Sequence, residues 1–292
     1  MKEIRLPDYY LTHGEITDPG QYGSMLNPLP DSVEEIVDII HGLILHIFWA
    51  KAYGVTLDES QKEQVYTRYI SDILGQIREI DQAPLNKKRK PENRFVGNCR
   101  DIAVFLTSLL RAKGVPARAR AGFGTYFTED RYEDHWICQY WNREDEKWIN
   151  VDPEIDPLKE EALKLDFDPL NLPPGKFITA AQAWKMCREG EADPDKFGIF
   201  DMKGLWFIRG NLIRDLASLN KMEMLPFDCW GLISKEEEDL TEADYQFLDE
   251  IAELILTNNP KLYEIYETKS ELRVPETVTT YKNMKPIKVK LK

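Results

Sequence analysis

The sequence contains few cysteines and lacks the features of an exported protein. Four of its 292 residues are cysteine, and none belongs to a Cys-x-x-Cys pair or a Cys–His spacing of zinc-binding type. The N-terminal segment has no apolar signal core, and no Asn-x-Ser/Thr acceptor for glycosylation occurs. These absences argue against a disulfide scaffold and predict a cytoplasmic location.

Long apolar runs and excess positive charge are also missing. The most apolar stretch, residues 36–50, is interrupted by Asp38, His41 and His46 and is shorter than the roughly 20 residues of a membrane helix. A net charge of −13 opposes binding to phosphate backbones. The basic run 87–90 could form a nucleic-acid patch, but a solvated loop in an acidic protein is the favoured interpretation. We therefore expect neither a membrane nor a nucleic acid as partner.

The composition, with 42% hydrophobic and 30% charged residues, is that of a globular protein. Residues 1–30 predict an irregular wrap. Ser32, with Glu35 completing a capping box, predicts a helix that continues to Tyr53. Asp58 caps a second helix, whose apolar residues recur at helical spacing through residue 77. Two adjacent amphipathic helices with a short connection predict an antiparallel pair.

A third helix is predicted from Asn98 to Lys113, with an apolar stripe formed by Ile102, Phe105, Leu106, Leu109 and Leu110. Gly114 and Pro116 end it. Alternating patterns predict strands at 115–121, 135–141 and 148–151, and a lysine-guarded edge strand at 287–292, for which a basic anchor is the alternative. Residues 157–176 are predicted to be irregular, and further helices are predicted near 179–189, 204–221 and 241–257.

The chemistry-bearing residue of the third helix is Cys99, at its predicted start. Backbone N–H groups and the positive end of the helix dipole favour a thiolate at that position. His135 opens a strand, and Asp152 lies near the end of the next. With a four-residue hairpin loop at 142–145, His135 falls opposite Asp152, close enough for a carboxylate to orient an imidazole. Cysteine, histidine and aspartate together can form a nucleophilic triad.

These residues stand in motifs that resemble the transglutaminase-like superfamily. The motifs are Gly-Asn-Cys at 97–99, Gly-Val-Pro-Ala-Arg at 114–118, His-Trp at 135–136 and Asn-Val-Asp-Pro at 150–153. The resemblance covers about residues 94–155. It implies a papain-like α+β core in which Cys99 is the nucleophile, His135 the general base and acid, and Asp152 the residue that orients His135.

The resemblance leaves the substrate open, because the superfamily includes transamidases, peptidases, peptide N-glycanases and inactive relatives. The sequence has no acidic calcium loop and no cysteine quartet for zinc. We therefore expect a metal-independent cysteine hydrolase of amide or peptide bonds without a cofactor. The alternatives are a protein-glutamine amine transferase with the same triad and a non-catalytic binding or scaffold module. The acidic surface favours a basic or amine-bearing peptide or protein as substrate.

Further residues are candidates for the oxyanion hole and the substrate cleft, on weaker sequence signals than those of the triad. The backbone N–H of Cys99 is one expected oxyanion donor, and Tyr66, Tyr69 and Asn93 are candidates for the second. Trp136 of the His-Trp motif, with Arg209 and Trp230, is a candidate for the substrate cleft, although Arg209 and Trp230 could equally belong to a core. Cys138, Cys187 and Cys229 are expected to be packing residues. His41 and His46, five apart on the predicted helix, do not share a face, so no metal site is expected.

The expected organisation is α+β in three parts. Residues 1–90 form an N-terminal wrap and helical pair, 91–156 the transglutaminase-like core, and 157–292 a mostly helical C-terminal region packed on that core. No flexible linker separates the parts, so one compact body is predicted.

Overall fold

The computed structural model describes residues 6–292, so the first five residues of the predicted wrap lie outside it. Its α-helices are α1 (Val33–His41), α2 (Glu59–Glu63), α3 (Ile70–Ile80), α4 (Cys99–Ala112), α5 (Pro157–Leu163), α6 (Ala180–Arg188), α7 (Leu205–Leu219), α8 (Glu242–Leu256) and α9 (Lys261–Thr268). Its strands are β1 (Ile44–His46), β2 (Phe95–Gly97), β3 (Ala117–Gly124), β4 (Tyr132–Asn142), β5 (Lys147–Val151), β6 (Phe177–Thr179), β7 (Phe197–Ile199), β8 (Met202–Lys203), β9 (Asp228–Cys229), β10 (Thr277–Lys282) and β11 (Lys285–Lys290). The mixture of helices and sheets confirms the predicted α+β class.

The chain divides into two compact units. Among the described residues, unit 1 comprises 6–119 and 136–173, and unit 2 comprises 120–135 and 174–292. These bounds differ from the predicted breaks after residues 90 and 156, because β3 and β4 each contribute one part to each unit. None of the helices in residues 6–292 is long and apolar enough to cross a membrane.

Unit 1 is built around α4. Its apolar stripe is buried as predicted, and Asn98 caps its first turn. Gly114 follows the helix with a φ of 71°, a left-handed conformation that glycine adopts without steric cost. β1 and β2 form a parallel pair beside the N-terminal end of α4, and β5 runs antiparallel to β4.

The N-terminal part of unit 1 differs from its prediction in two places. Ser32 caps α1 as expected, but α1 ends at His41 rather than Tyr53, and residues 44–46 form β1. Asp58 also caps a helix as expected, with a full capping box to Gln61. That helix ends at Glu63, and α3 begins separately at Ile70, so the predicted second helix is two helices.

The basic run at 87–90 contributes to the structure of unit 1. The Arg89 side chain is 4% exposed, and its guanidinium donates hydrogen bonds to the carbonyl groups of Asp81, Ala83, Pro84 and Lys87. Lys88 forms an ion pair with Asp38. The interpretation as a solvated loop holds for the exposed Lys87, Lys88 and Lys90 but is wrong for Arg89, which is buried because it holds the loop together. The absence of a nucleic-acid partner stays a prediction.

Unit 2 combines a buried helix with two groups of strands. The residues of α7 from Phe207 to Leu219 are buried, and α6 and α8 pack with this helix. One sheet has the strand order β6-β3-β4-β7-β8, and a separate sheet is formed by β9, β10 and β11. The helices predicted near 179–189, 204–221 and 241–257 are confirmed as α6, α7 and α8. The edge strand predicted for the tail is β11, although most of its residues are exposed on both faces.

Candidate active site

Cys99 is the first residue of α4 and is partly exposed. Asn98 and Asp101 form a capping box around it: Asn98 Oδ1 accepts from the Asp101 N–H at 3.2 Å, and Asp101 Oδ2 accepts from the Asn98 N–H at 3.0 Å. Neither bond uses the N–H of Cys99. Because Cys99 is the first residue of α4, its thiol lies at the positive end of the helix dipole, where a thiolate is favoured.

The first turn of α4 is fixed by buried charge and close packing. Arg100 donates to Asp101 at 2.9 Å and to the carbonyl of Arg68 at 2.9 Å. Burial raises the pKa of Asp101 to about 6, against the opposing effect of the Arg100 charge. A Cβ atom at Gly97 would lie 3.1 Å from both Asp101 Oδ2 and Ile44 Cγ2, which explains the small residue before the cysteine.

His135 lies in β4 and is 2% exposed. Within unit 2, its ring lies edge-on to Phe127, with 4.8 Å between ring centroids, and 6.2 Å from the ring of Tyr126. The next residue, Trp136, is fully buried, and its indole N–H has no hydrogen-bond partner among the residues that the structure describes.

Asp152 directly follows β5 and is fully buried. Its Oδ1 accepts from the Glu154 N–H at 3.0 Å, and its own N–H donates to the Pro169 carbonyl at 2.8 Å. Lys159 Nζ donates to the Glu154 carbonyl at 2.8 Å, which provides a further contact for the segment that follows Asp152. The carboxylate is therefore held rigidly where β5 ends.

The predicted hairpin register is wrong by two residues. Asn142 pairs with Lys147 and Trp141 with Trp148, so the four-residue loop is 143–146 rather than 142–145. Asn142 causes the difference, because its Oδ1 accepts from the N–H groups of Glu144 and Asp145 and so starts the turn one residue later. The last pair in the ladder is Cys138 with Val151, rather than the expected Cys138 with Ile149.

Two residues beside Cys99 were missed as site residues. One ring nitrogen of His46, the sulfur of Cys99 and one carboxylate oxygen of Glu154 all lie within 4.8 Å of one another. His46 Nε2 is 3.6 Å from Glu154 Oε2, and both side chains are buried. His46 was assigned to a helix that does not exist at this position. The glycine at 42, a helix-ending residue before the apolar pair Ile44-Leu45, is the signal that could have revealed β1.

Nitrogen, sulfur and oxygen donors at such distances could hold a zinc ion. The hydrogen bonding of His46 opposes this use, because its Nδ1 accepts from the Phe48 N–H at 3.2 Å. A neutral imidazole that accepts at Nδ1 carries its proton on Nε2, the nitrogen that faces Glu154. A cation would have to displace that proton, so the geometry fits a hydrogen-bond donor better than a metal ligand.

A second buried histidine supports the segment after Asp152. His41 Nε2 lies 3.0 Å from the Pro153 carbonyl, and burial lowers the pKa of His41 to about 4. The Tyr53 hydroxyl hydrogen-bonds to Asp156, the N-cap of α5. These side chains line a small cavity of about 10 Å³ together with His46 and Glu154. Residues 157–163, predicted to be irregular, form α5 because Asp156 caps it and Pro157 occupies its first position.

The other predicted site residues are spread over both units. Tyr66 and Tyr69 flank Arg68, whose carbonyl binds Arg100, and Asn93 is exposed in a short 3-10 turn. In unit 2, Arg209 and Trp230 are each 3% exposed. Arg209 donates to the Lys235 carbonyl and the Trp230 indole to the Leu272 carbonyl, which favours packing roles for both. A role for any of these residues in a cleft or oxyanion hole stays a prediction.

No disulfide joins any of the four cysteines, all of which lie in the described part of the chain. Cys138 is buried as expected, accepts a hydrogen bond from Thr107, and has a pKa raised by burial to about 12. Cys187 is partly exposed, and burial raises its pKa to about 11. Cys229 is also partly exposed, with the guanidinium of Arg214 3.8 Å from its sulfur.

A comparison with protein-family models identifies the segment that contains Cys99, His135 and Asp152. Residues 52–153 match the Transglutaminase-like superfamily. The resemblance inferred from the motifs is thereby confirmed over this transglutaminase-like segment, which begins before the first motif. The match supports a transglutaminase-like cysteine enzyme.

A comparison with curated proteins finds no match. Among solved structures, a proposed cysteine protease from Cytophaga hutchinsonii is similar, with 14% sequence identity and a TM-score of 0.36. The alignment covers 61% of this chain and 47% of that one, so this chain matches about half of the length of its structural neighbour.

Proposed function

We propose that this protein is a cysteine-dependent hydrolase of amide or peptide bonds, with Cys99 as nucleophile, His135 as proton shuttle and Asp152 as its orienting group. The observation that carries the proposal is the position of Cys99 at the capped first turn of α4, inside the transglutaminase-like segment. That segment also contains His135 and Asp152. Thiolate and imidazole together supply the nucleophile and the proton transfer, so this chemistry requires no metal.

The proposed reaction has two steps. His135 takes the thiol proton, the sulfur of Cys99 bonds to the substrate carbonyl carbon, and the C–N bond breaks as the imidazolium gives its proton to the leaving amine. His135 then takes a proton from water, whose oxygen displaces the thiolate from the thioester and releases the acid. The thiol and the neutral imidazole are thereby restored.

Charge supports a basic or amine-bearing peptide or protein as substrate. The chain carries a net charge of −13, which attracts cationic partners over neutral or anionic ones. An amine that reaches the thioester before water would make the enzyme a transferase, the alternative that shares every step up to the acyl-enzyme. We propose the reducing cytoplasm as its location, because no disulfide joins its cysteines.

The first test is alkylation by iodoacetamide at about pH 6, where an unperturbed thiol with a pKa of about 8.5 is almost fully protonated. Peptide mass spectrometry measures the rate at each cysteine in the wild type and in His135→Ala. We expect fast labelling of Cys99 that decreases in the variant. Cys187 is the internal control, because it is also partly exposed but its pKa is raised to about 11.

If Cys99 is labelled no faster than Cys187, the activated nucleophile does not exist and the non-catalytic binding module becomes the better explanation. If Cys99 is fast in both proteins, His135 is not its base. Once an activated thiol is established, fluorogenic peptide amides with and without a fluorescent primary amine separate the two enzymatic outcomes. Acid as the main product indicates a hydrolase, and amine incorporation indicates a transferase.

A further inference from the structure

The strand pair β1–β2 brings His46 to the nucleophile. His46 is the register partner of Gly97, and the Ile47 N–H donates to the Gly97 carbonyl at 2.9 Å. Cys99 lies two residues beyond Gly97, and a ring nitrogen of His46 lies within 4.8 Å of its sulfur. The imidazole is therefore held in place by backbone pairing rather than by a flexible loop.

Hydrogen bonding to the ring restricts the role of this imidazole. The Phe48 N–H can only donate, so His46 Nδ1 must be the acceptor, at 3.2 Å. If Nδ1 were protonated, its N–H and the Phe48 N–H would both be donors facing each other, and the hydrogen bond would be lost. An imidazole that accepts at Nδ1 has its N–H at Nε2, and from there it can donate a hydrogen bond; the occupied Nδ1 lone pair does not take the thiol proton from Cys99.

Glu154 and Lys159 complete the surroundings of Nε2. Glu154 Oε2 is 3.6 Å from His46 Nε2, and Glu154 Oε1 is 3.6 Å from Lys159 Nζ. Both side chains of this ion pair are buried. The lysine compensates the carboxylate charge beside a thiolate, and the carboxylate favours the Nε2–H form of the imidazole.

We propose that His46 is the second donor of the oxyanion hole, acting through Nε2–H together with the backbone N–H of Cys99. This inference rests on the proposed hydrolase function. When the sulfur bonds to the carbonyl carbon, the C=O π pair moves to the oxygen, which becomes an oxyanion two bonds from the sulfur. An oxyanion donor lies about 3 Å from that oxygen. One nitrogen of the His46 ring lies within 4.8 Å of the sulfur, which brings the imidazole within reach of that oxygen. No proton is transferred from His46.

Two reagents with different reaction paths test this role at Cys99. p-Nitrophenyl acetate acylates a thiol through a tetrahedral oxyanion, whereas iodoacetamide alkylates it by direct displacement of iodide, with no oxyanion. The variants are His46→Met, which fills the space without an N–H, and His46→Gln, which is of similar length and retains an N–H donor. Phe48→Ala is the matched control, because it keeps the backbone N–H that fixes the His46 ring. Both rates are measured in EDTA.

We expect His46→Met to acylate about 10²- to 10³-fold more slowly than the wild type, the usual loss for one oxyanion donor, while alkylation changes less than about threefold. His46→Gln should recover at least part of the loss, and Phe48→Ala should match the wild type in both reactions.

Unchanged acylation in His46→Met overturns the oxyanion role and leaves the hydrolase proposal intact. A parallel decrease of both rates also overturns it, because His46 then maintains the thiolate. A wild-type Cys99 that reacts with neither reagent refutes the hydrolase proposal itself. If thermal unfolding shows that His46→Met does not fold, the pair His46→Leu and His46→Asn makes the same comparison.

Discussion

Asn98 and Asp101 exchange two hydrogen bonds across the first turn of α4, with Cys99 between them. This reciprocal pair fixes where the helix begins and therefore where the thiol meets the helix dipole. Replacing Asn98 by alanine removes one of the two bonds while leaving Cys99 and Asp101 unchanged.

We predict that Asn98→Ala lowers the free energy of unfolding by about 1 kcal/mol, the usual cost of a lost N-cap, and slows Cys99 alkylation at pH 6. Urea unfolding and peptide mass spectrometry measure the two effects. Thr241→Ala is the control, because Thr241 and Asp244 form the same kind of box on α8. It should cost similar stability without slowing Cys99, and equal slowing in both variants would contradict the prediction.

Asp152→Asn tests the proposed orienting group without removing its structural contact, because an amide oxygen can still accept from the Glu154 N–H. We predict that turnover of a peptide amide decreases by about 10³- to 10⁴-fold, since an amide no longer selects the imidazole tautomer that the reaction needs. Thermal unfolding should change little. Asp168→Asn, in the exposed turn where Asp168 binds the Leu170 N–H, is the control and should retain full turnover. Equal turnover in Asp152→Asn and the wild type would remove Asp152 from the triad.

His41 predicts how stability depends on pH. Burial lowers its folded pKa from the ordinary histidine value of 6.5 to about 4, so the unfolded chain binds a proton that the folded chain excludes as pH falls between these values. The negative charges of Asp156 and Asp38 raise the pKa of His41 and so partly offset the effect of burial. The positive charge of Lys159 lowers it further. Stability is therefore lost as pH falls from 6.5 towards 4, and this residue alone accounts for about 2 kcal/mol between pH 7 and pH 5.

The variant His41→Gln retains a donor for the Pro153 carbonyl but has no titrating group. We predict that its free energy of unfolding falls less steeply than that of the wild type between pH 7 and pH 5, by about 2 kcal/mol. Urea titrations at both pH values provide the comparison. Parallel curves for the two proteins would mean that His41 is protonated in the folded state.

A buried ion pair makes unit 2 sensitive to Asp215. Arg120 donates to Asp215 through Nε at 2.9 Å and Nη2 at 2.8 Å, and the Ala121 N–H donates to the same carboxylate at 3.0 Å. We predict that Asp215→Ala lowers the free energy of unfolding by about 3–5 kcal/mol, because it leaves a buried guanidinium uncompensated. Glu250→Gln, at the exposed pair with Lys261, should leave Tm unchanged. A small shift in Tm for Asp215→Ala would show that water reaches Arg120.

Local signals were sufficient where an element is defined by its own residues. The start of α4 followed from Asn98, its end from Gly114, and its buried face from apolar spacing. Cys138 was recognised as a packing residue from strand alternation. The motif residues Cys99, His135 and Asp152 were found for the same reason, since each stands next to the start or end of a predicted element.

Non-local pairing could not be predicted in the same way. Residues 36–50 are apolar enough to continue a helix, and only the parallel ladder to Phe95–Gly97 makes residues 44–46 a strand. His46 was consequently placed on a helix, away from Cys99. The hairpin register depended on a single side chain, because Asn142 folds back on the turn and moves every later pair by two positions.

The short ladder between β1 and β2 fixes the position of His46 relative to Cys99. That position does not depend on the length of the chain that connects the two strands. His46 and Gly97 are held by backbone pairing, so the spacing of imidazole and thiol does not depend on how many residues lie in the exposed irregular segment around Thr56. A tag or reporter peptide inserted there would leave the nucleophile and its neighbours in register. The protein thus offers an internal attachment point that is close to its candidate active site in sequence. An insertion there leaves the spacing between His46 and Cys99 unchanged.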